Sequence, residues 1–168
     1  KIGSTSLIRK LAGEALASRA DEVIVVVGAE AHMIRNELKG LKLTIVDNTD
    51  WARGLSTSII AGLTAVSEQC EGALFMLCDQ PYVTSYLLNQ LMERFESTRA
   101  PIVTCEYAQT VGIPALFSKS LFSELKLLKG DAGAKSVILG RIEKLQRISF
   151  PRGVVDIDTS DDLEALPR

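Results

Sequence analysis

Short apolar runs alternate with amphipathic stretches along most of this chain. The runs at 23–27, 43–46 and 73–78 are rich in branched or bulky apolar residues and predict strands. The stretches between them space their apolar residues as helices with one buried face do. This alternation indicates parallel βαβ units, so we expect a single three-layer α/β domain with a Rossmann-like, mostly parallel sheet and helices on both faces. Further strands are predicted at 101–104, 115–117, 145–148 and 154–157, and helices at 4–18, 29–38, 55–66, 84–95 and 119–128, after 133 and from 159 or 160.

The apolar run at 74–78 ends abruptly at a carboxylate. An uninterrupted run of this kind predicts a strand that is buried on both faces. Asp79, Gln80 and Pro81 follow it, and proline cannot continue the ladder. Ligands of open α/β sheets bind beyond the carboxyl ends of the strands, so Asp79 is expected at the rim of a site for a hard cation or a phosphate ester.

The composition is that of an ordinary globular protein and excludes several classes. The chain has 168 residues, of which 46% are apolar and 24% charged, and its net charge is −2. This charge offers no basic surface for nucleic acid and no polybasic membrane anchor, and no apolar run approaches the roughly 20 residues of a membrane span.

The scattered Cys70, Cys78 and Cys105 are expected to be buried free thiols in a reducing cytoplasm. His32 is the only histidine, which argues against a catalytic dyad or a zinc site.

A second group of carboxylates lies near the end of the chain. Asp156 and Asp158 are two positions apart, so in an extended segment they point to the same face. Such carboxylates repel each other unless a cation lies between them. Together with Asp79 they would form an oxygen-only site suited to Mg²⁺ bound to substrate phosphates. The alternative is a solvated strand end, and for Asp161 and Asp162 a place in the first turn of a helix is preferred.

Two glycine-containing segments are candidates for binding a nucleotide. In 51–59, Gly54 precedes hydroxyl residues at a helix start, where backbone N–H groups could bind a base edge or a phosphate. A plain serine-rich helix cap is an equally good interpretation. In 129–135, two glycines allow close backbone approach and Lys135 could neutralise a phosphate, although Gly-Asp is also an ordinary turn.

A third segment and the single tryptophan favour architectural roles. In 110–117, Gly112 permits a bend near a ligand, and Pro114 is expected to place the following strand at a sheet edge. Without other information, an architectural role for this segment is the better interpretation. Trp51 is expected to pack at the rim of a pocket.

Taken together, these segments resemble the molybdenum cofactor cytidylyltransferases, a branch of the MobA-like nucleotidyltransferases. That family opens with a strand and a glycine-rich loop that binds the nucleoside triphosphate. Here Lys1 and Gly3 lead almost directly into what looks like the family's first helix, so the domain at 1–168 is expected to lack that strand and loop. The similar segments are N-x-x-W-x-x-G-[LM]-x-x-S-[IL] at 48–59, L-x-D-Q-P at 77–81, G-x-P-[AV]-L-F at 112–117, G-D-x-G-A-[KR] at 130–135, and D-[IV]-D-T-P-E-D-L at 156–163, with Ser160 in place of the usual proline.

The resemblance implies a reaction and a set of site residues. CTP and molybdopterin would give the dinucleotide cofactor and pyrophosphate with the help of Mg²⁺, and a molybdenum hydroxylase would receive the product. The metal ligands would be Asp79 with Asp156 or Asp158, and Asp79, Asp158 and Lys135 would act in catalysis. Gly54, Leu55 and Ser58 would border the cytosine, whereas Gln80, Gly112, Pro114, Asp131 and Lys135 would face the pterin.

Two alternatives remain open. A cytidylyltransferase for a small sugar or polyol phosphate shares the fold, although the acidic pair near the C-terminus and the 130–135 loop weigh against it. A non-catalytic domain that escorts nucleotide or pterin to a molybdenum hydroxylase is favoured by the missing glycine-rich loop. The choice between CTP and GTP is also open at this point.

Overall fold

The strands form two hydrogen-bonded sheets in the computed structural model, which describes residues 5–157. Two strands pair in parallel in the first sheet, β1 (Ile24–Val27) with β2 (Thr44–Asp47). The second sheet has the order β3-β5-β4-β6, in which β4 and β6 are parallel and β5 is antiparallel to both of its neighbours. Its strands are β3 (Gly72–Phe75), β4 (Ile102–Tyr107), β5 (Thr110–Ser118) and β6 (Leu145–Ser149).

Helices cover both faces of the larger sheet, as the predicted three-layer α/β class requires. Successive residues of a strand point to opposite faces. Val103 and Leu116 therefore join a core with helix α4, whereas Ile102 and Phe117 join a second core on the other face. The helices are α1 (Leu7–Leu16), α2 (Ala31–Leu38), α3 (Leu55–Ala65), α4 (Ser85–Thr98), α5 (Phe122–Leu125) and α6 (Lys135–Leu139), with 3₁₀ turns at Trp51–Arg53, Lys119–Leu121, Ile142–Lys144 and Pro151–Val154.

The antiparallel strand β5 was not expected from the alternation of elements. It follows β4 through a two-residue turn in which Ala108 and Gln109 have positive φ angles of 47° and 60°. Such a turn joins antiparallel strands directly. Glycine and asparagine usually mark these turns, and neither is present here, so the sequence carries no clear hairpin signal.

The strand before Asp79 is shorter and more exposed than predicted. β3 ends at Phe75, its four residues are half-buried, and Leu77 is 39% exposed, so the expectation of a strand buried on both faces is wrong. Within residues 5–157, β3 pairs with β5 alone. Its last pair is Phe75 with Ala115, and the next residue of β5 is Pro114, which has no N–H to continue the ladder.

Pro114 lies in the centre of the larger sheet, so its predicted place at a sheet edge is wrong. β5 has β3 on one side and β4 on the other. The register of β4 against β5 shifts, with Thr104 opposite Ala115 and the next residue, Cys105, opposite Gly112. This irregularity leaves Pro114 outside the ladder, which is how a central strand tolerates proline.

The segment after β6 also differs from the prediction. The strand expected at 154–157 is absent, because Pro151–Val154 forms a 3₁₀ turn and 155–157 has no regular structure. Pro151 suits the first position of such a turn, since it has no N–H and a helical φ. The predicted final helix and Asp158 lie outside the described residues.

Two further expectations can be compared with residues 5–157. No helix in this part of the chain has the length and apolar character needed to cross a membrane. The three cysteines are free as expected, but only Cys105 is buried, whereas Cys70 is half-buried and Cys78 is exposed.

Candidate functional site

Two glycine segments that are far apart in the sequence pack against each other. Gly54 precedes helix α3 with a φ of 107°, in the left-handed region that favours glycine. A Cβ atom on Gly54 would lie 2.3 Å from the carbonyl carbon of Gly130, so no side chain fits between the two backbones. Ser56 donates its backbone N–H to the carbonyl oxygen of Gly130 at 3.0 Å. Residues 51–59 and 129–135 therefore form one surface, which we call the glycine wall.

The glycine wall presents an apolar side chain and two charges to solvent. Leu55 is 44% exposed and lies against Gly133, where an added Cβ atom would be 3.0 Å from Leu55 Cδ2. Asp131 and Lys135 are exposed, and within the described part of the chain neither side chain forms a hydrogen bond or an ion pair. All three side chains can therefore contact a ligand.

A buried amide holds the start of the glycine wall in shape. Asn48 is 6% exposed and directly follows β2. Its Nδ2 donates to Thr57 Oγ1 at 2.8 Å and to Ser58 Oγ at 3.0 Å, and its Oδ1 accepts the N–H of Asp50 at 3.0 Å. Asn48 is the first residue of the motif at 48–59 but was not predicted as a site residue. Its position between a strand and a polar loop is the signal that could have identified it.

Trp51 packs at the rim of this surface. An added Cβ atom on Gly28, just after β1, would lie 2.5 Å from Trp51 Cβ. The indole is nevertheless 51% exposed. This agrees with the predicted rim position of the single tryptophan.

A second surface joins three of the predicted segments. Gln80 is 3% exposed, and its Nε2 donates to the carbonyl oxygens of Ile113 at 3.1 Å and Gly153 at 3.3 Å. Ile157 donates its backbone N–H to the carbonyl oxygen of Asp79 at 2.8 Å. These bonds tie the loop after β3 to strand β5 and to the segment after β6. We call residues 79–81, 112–114 and 153–157 the carboxylate wall.

Tyr107 fills the space that two glycines of this wall leave. Its hydroxyl donates to the carbonyl oxygen of Ile113 at 3.1 Å. An added Cβ atom would lie 2.5 Å from the Tyr107 oxygen at Gly112 and 2.6 Å from its Cδ1 at Gly153. The absence of a side chain at Gly112 therefore leaves room for the Tyr107 ring, so Gly112 has an architectural role. Neither Tyr107 nor Gly153 was predicted, because no local pattern shows that the β4–β5 hairpin places Tyr107 beside Gly112 or that the pairing of β4 with β6 brings Gly153 near it.

The environment of Tyr107 shows that two carboxylates lie nearby. Burial raises the pKa of the Tyr107 hydroxyl, and the nearby Gln80 amide, which stabilises the charged form, opposes this change. The negative charges of Asp156 and Asp79 raise the pKa further. Two of the three predicted metal ligands therefore lie close enough to affect the same hydroxyl group.

The donor atoms of this wall fit a hard cation. Carboxylate oxygens are the ligands that Mg²⁺ and similar cations prefer, and Asp79 and Asp156 supply them. Residues 5–157 contain no group of three His, Cys, Asp or Glu side chains arranged to hold a metal ion. The predicted third ligand, Asp158, lies outside this range.

Helix α1 holds the loop that carries Asp79. Lys10 Nζ donates to the carbonyl oxygen of Pro81 at 2.5 Å. Glu14 Oε2 accepts the backbone N–H of Ser85, the first residue of α4, at 2.7 Å. The loop after β3 is thus held at Pro81 and where it enters α4, and these two positioning residues were not predicted.

The predicted site residues thus separate into two groups. Each group is held together by the hydrogen bonds and close backbone contacts described above. The glycine wall carries Gly54, Leu55, Ser58, Asp131 and Lys135, and the carboxylate wall carries Asp79, Gln80, Gly112, Pro114 and Asp156.

A three-layer α/β fold with a glycine wall and a carboxylate wall is that of a nucleotidyltransferase domain. The chain belongs to the family described as the MobA-like NTP transferase domain, which its residues 1–147 match. It is therefore a nucleotidyltransferase. No protein of curated function matches the sequence.

Solved structures of similar proteins share this fold. The homologue of Mycobacterium tuberculosis Rv0371c from Mycobacterium sp. strain JC1 is 31% identical with a TM-score of 0.82, over 98% of this chain and 82% of that one. Rv0371c itself, in complex with manganese, is 26% identical with a TM-score of 0.79, over 95% of this chain and 86% of that one. A 4-diphosphocytidyl-2C-methyl-D-erythritol synthase from Anaerococcus prevotii shares the fold at 15% identity and a TM-score of 0.78, over 98% of this chain and 85% of that one.

Proposed function

We propose that this nucleotidyltransferase transfers the cytidylyl group of CTP to the phosphate of molybdopterin and releases pyrophosphate, with Mg²⁺ as its cofactor. The observation that carries the proposal is the hydrogen bond between Asp79 and Ile157, which holds Asp156 beside the loop after β3. The five ordered motifs that resemble the cytidylyltransferase branch include both of these segments.

The chemistry requires positive charge at the carboxylate wall. A phosphate oxygen of the acceptor attacks the α-phosphorus of CTP, which brings two anions together. Asp79 and Asp156, together with Asp158, would hold Mg²⁺, which when bound offsets this negative charge. Lys135 adds a second positive charge from the glycine wall. The manganese complex of Rv0371c supports a divalent cation in a protein of this fold.

No covalent intermediate is needed for this transfer. Although Cys78 is exposed as a residue, partial desolvation of its thiol and the neighbouring Asp79 raise its pKa, and burial raises the pKa of Cys105 to about 12. Both thiols are protonated at neutral pH and are poor nucleophiles. This supports direct displacement of pyrophosphate by the acceptor phosphate.

A buried oxygen of Gln80 supports a hydrogen-bond donor from the ligand or from a water molecule at the carboxylate wall. The two carbonyl oxygens that accept from Nε2 fix the orientation of the amide. The other amide atom, Oε1, is buried and has no hydrogen-bond partner within residues 5–157. A buried acceptor of this kind is costly unless a ligand or water donates to it. A donor group of the pterin-bearing acceptor, or a water that it holds, is the proposed partner, with Gly112 and Pro114 on the same side of the ligand and Asp131 facing it from the glycine wall.

The glycine wall is the proposed binding surface for the base. Gly54 and Ser58 determine the backbone conformation at this surface, and the exposed Leu55 offers an apolar contact to the cytosine ring.

We also propose a cytoplasmic location, consistent with three free cysteines, and delivery of the product to a molybdenum hydroxylase.

The test is a pyrophosphate-release assay on the full-length protein with Mg²⁺ and molybdopterin. CTP should give product, and GTP and ATP should give little. Product from GTP alone would exclude the cytidylyl assignment, and turnover of CTP with a polyol phosphate instead of molybdopterin would favour the alternative acceptor. Binding of CTP and pterin without any turnover would favour the escort role.

Replacing Asp79 tests the proposed metal ligand. Asp79→Ala should abolish Mg²⁺-dependent pyrophosphate release, because the site loses a carboxylate oxygen donor. Asp21→Ala is the control, since it removes an exposed carboxylate in the connection between α1 and β1. Turnover retained in the Asp79 variant would show that this side chain is not a required metal ligand.

A further inference from the structure

A cleft opens beside the carboxylate wall, between the N-terminal part of α4 and the residues that follow β6. Its volume is about 400 Å³. This lies within the roughly 300–1,000 Å³ of small-molecule sites. The side chains that the argument below uses are Tyr82, Tyr86, Gln90, Ser149 and Arg152, all of which line the cleft.

The lining is suited to a flat, electron-rich ring. The guanidinium carbon of Arg152 lies 4.7 Å from the centre of the Tyr82 ring, within the distance of a cation–π contact. Tyr86 is 72% exposed, so its ring is available for stacking. Gln90 and Ser149 add hydrogen-bonding groups.

The charge of the cleft favours a ligand with negative or carbonyl groups. Among the residues that the structure describes, Arg152 is the only charged residue that lines the cleft, and none of the lining residues is a carboxylate. Within residues 5–157, Arg152 forms no ion pair, so its N–H groups are not used by a neighbouring Asp or Glu. A guanidinium that stacks on one ring can stack on a second ring or donate from its edge to carbonyl oxygens.

The cleft is close to the candidate reaction centre. Tyr82 is three residues after Asp79, so their Cα atoms are separated by at most about 11 Å. On the other side, Gly153 follows Arg152 and accepts the hydrogen bond of Gln80. A ligand whose ring lies in the cleft can therefore place a phosphate at the carboxylate wall through a connection of a few bonds.

We propose that this cleft binds the planar heteroaromatic ring of the acceptor substrate, between the Tyr82–Arg152 pair and Tyr86. This inference rests on the proposed function, because it takes the acceptor to be a phosphate ester that carries such a ring. The cytosine of CTP is also a planar heteroaromatic ring, so the experiment must separate the two sources. Because the proposed binding surface for the cytosine is the glycine wall, the cleft is assigned to the ring of the acceptor.

The test is a titration of the protein with neopterin, a soluble fluorescent pterin, and a separate titration with CTP. Tyr86→Ala and Arg152→Met should each weaken neopterin binding about tenfold, which is typical of the loss of one stacking partner. Both should leave CTP binding unchanged. Arg94→Met is the matched control, because Arg94 is an exposed cation one turn beyond Gln90 on α4 and contacts Gln146 outside the cleft.

The outcomes separate this inference from the proposed function. Wild-type protein that does not bind neopterin, or variants that bind it as tightly as the wild type, would overturn the inference, and so would a selective loss of CTP binding. Neopterin binding that depends on Tyr86 and Arg152 would support it even if molybdopterin were not turned over. Turnover of molybdopterin with an unchanged KM in both variants would refute the assignment of the acceptor ring to the cleft and would still support the proposed reaction.

Discussion

At the scale of single residues, the glycines of the motifs serve the packing of the protein itself. Gly112 and Gly153 make room for Tyr107, and Gln80 joins the segments that contain them. A glycine near a ligand site is easily interpreted as a place where the ligand approaches the backbone. Here the close neighbour of Gly112 is a phenol ring of the same chain.

This contact predicts the effect of Gly112→Ala. The new methyl group would lie 2.5 Å from the Tyr107 oxygen, so the tyrosine must shift and its bond to Ile113 is disturbed. We expect a loss of about 1–3 kcal/mol in the free energy of unfolding, measured by urea denaturation. In a Tyr107→Phe background the same substitution should cost less, because the clashing oxygen is absent.

Gly13→Ala is the control for this prediction. Gly13 lies within α1 with no atoms near its Cβ position, so alanine should stabilise the protein by roughly 0.5–1 kcal/mol. An equal loss for Gly112→Ala in both backgrounds would show that Tyr107 is not the reason for the glycine.

At the scale of elements, the loops before α3 and α6 depend on each other. The two segments of the glycine wall are held together by the backbone contact between Gly54 and Gly130 and by the hydrogen bond that the Ser56 N–H donates to the Gly130 carbonyl oxygen. A change in one loop should therefore disturb both loops and the ligands that they are proposed to bind.

Gly54→Ala tests this dependence. The substitution combines a positive φ with a collision against the Gly130 backbone. Gly40→Ala is the matched control, because Gly40 has a φ of 86° and open space around it. The control should cost about 1–2 kcal/mol for the left-handed conformation alone. Gly54→Ala should cost more in urea denaturation and should weaken CTP binding, and equal losses in stability would show that the loop contact is not tight.

At the scale of the whole molecule, burial of Cys105 links stability to pH. This thiol is fully buried on β4, and burial raises its pKa from 9.0 to about 12. Between these values the unfolded chain loses the thiol proton before the folded protein does. Stability is therefore highest below pH 9 and falls as the pH rises towards 12.

The measurement is the free energy of unfolding from pH 8 to about 11 for the wild type and Cys105→Ala. Loss of one proton contributes a slope of about 1.4 kcal/mol per pH unit, which the variant should lack. Cys70→Ala is the control, because Cys70 is half-buried and should affect the slope less. Parallel curves for the wild type and Cys105→Ala would contradict the prediction.

Much of the fold and part of the candidate site could be predicted from local patterns. The class of fold, the start of α4 near position 84 and the grouping of Asp79 with Asp156 depend on residues that are close in sequence or on motifs that occur in order. The roles of Tyr107 and Lys10 could not be predicted, because each depends on a partner from another element.

The sequence by itself determined the α/β class, the order of most elements as far as β6 and the segments that are proposed to form the site, because apolar periodicity and helix caps act over a few residues. Only the tertiary structure decided that β5 runs antiparallel, that β3 stops at Phe75 and that Gly54 meets Gly130. These features depend on backbone groups that are distant in the chain. The missing N–H of Pro114 ends the pairing of another strand, and the missing side chain of Gly54 allows another loop to approach.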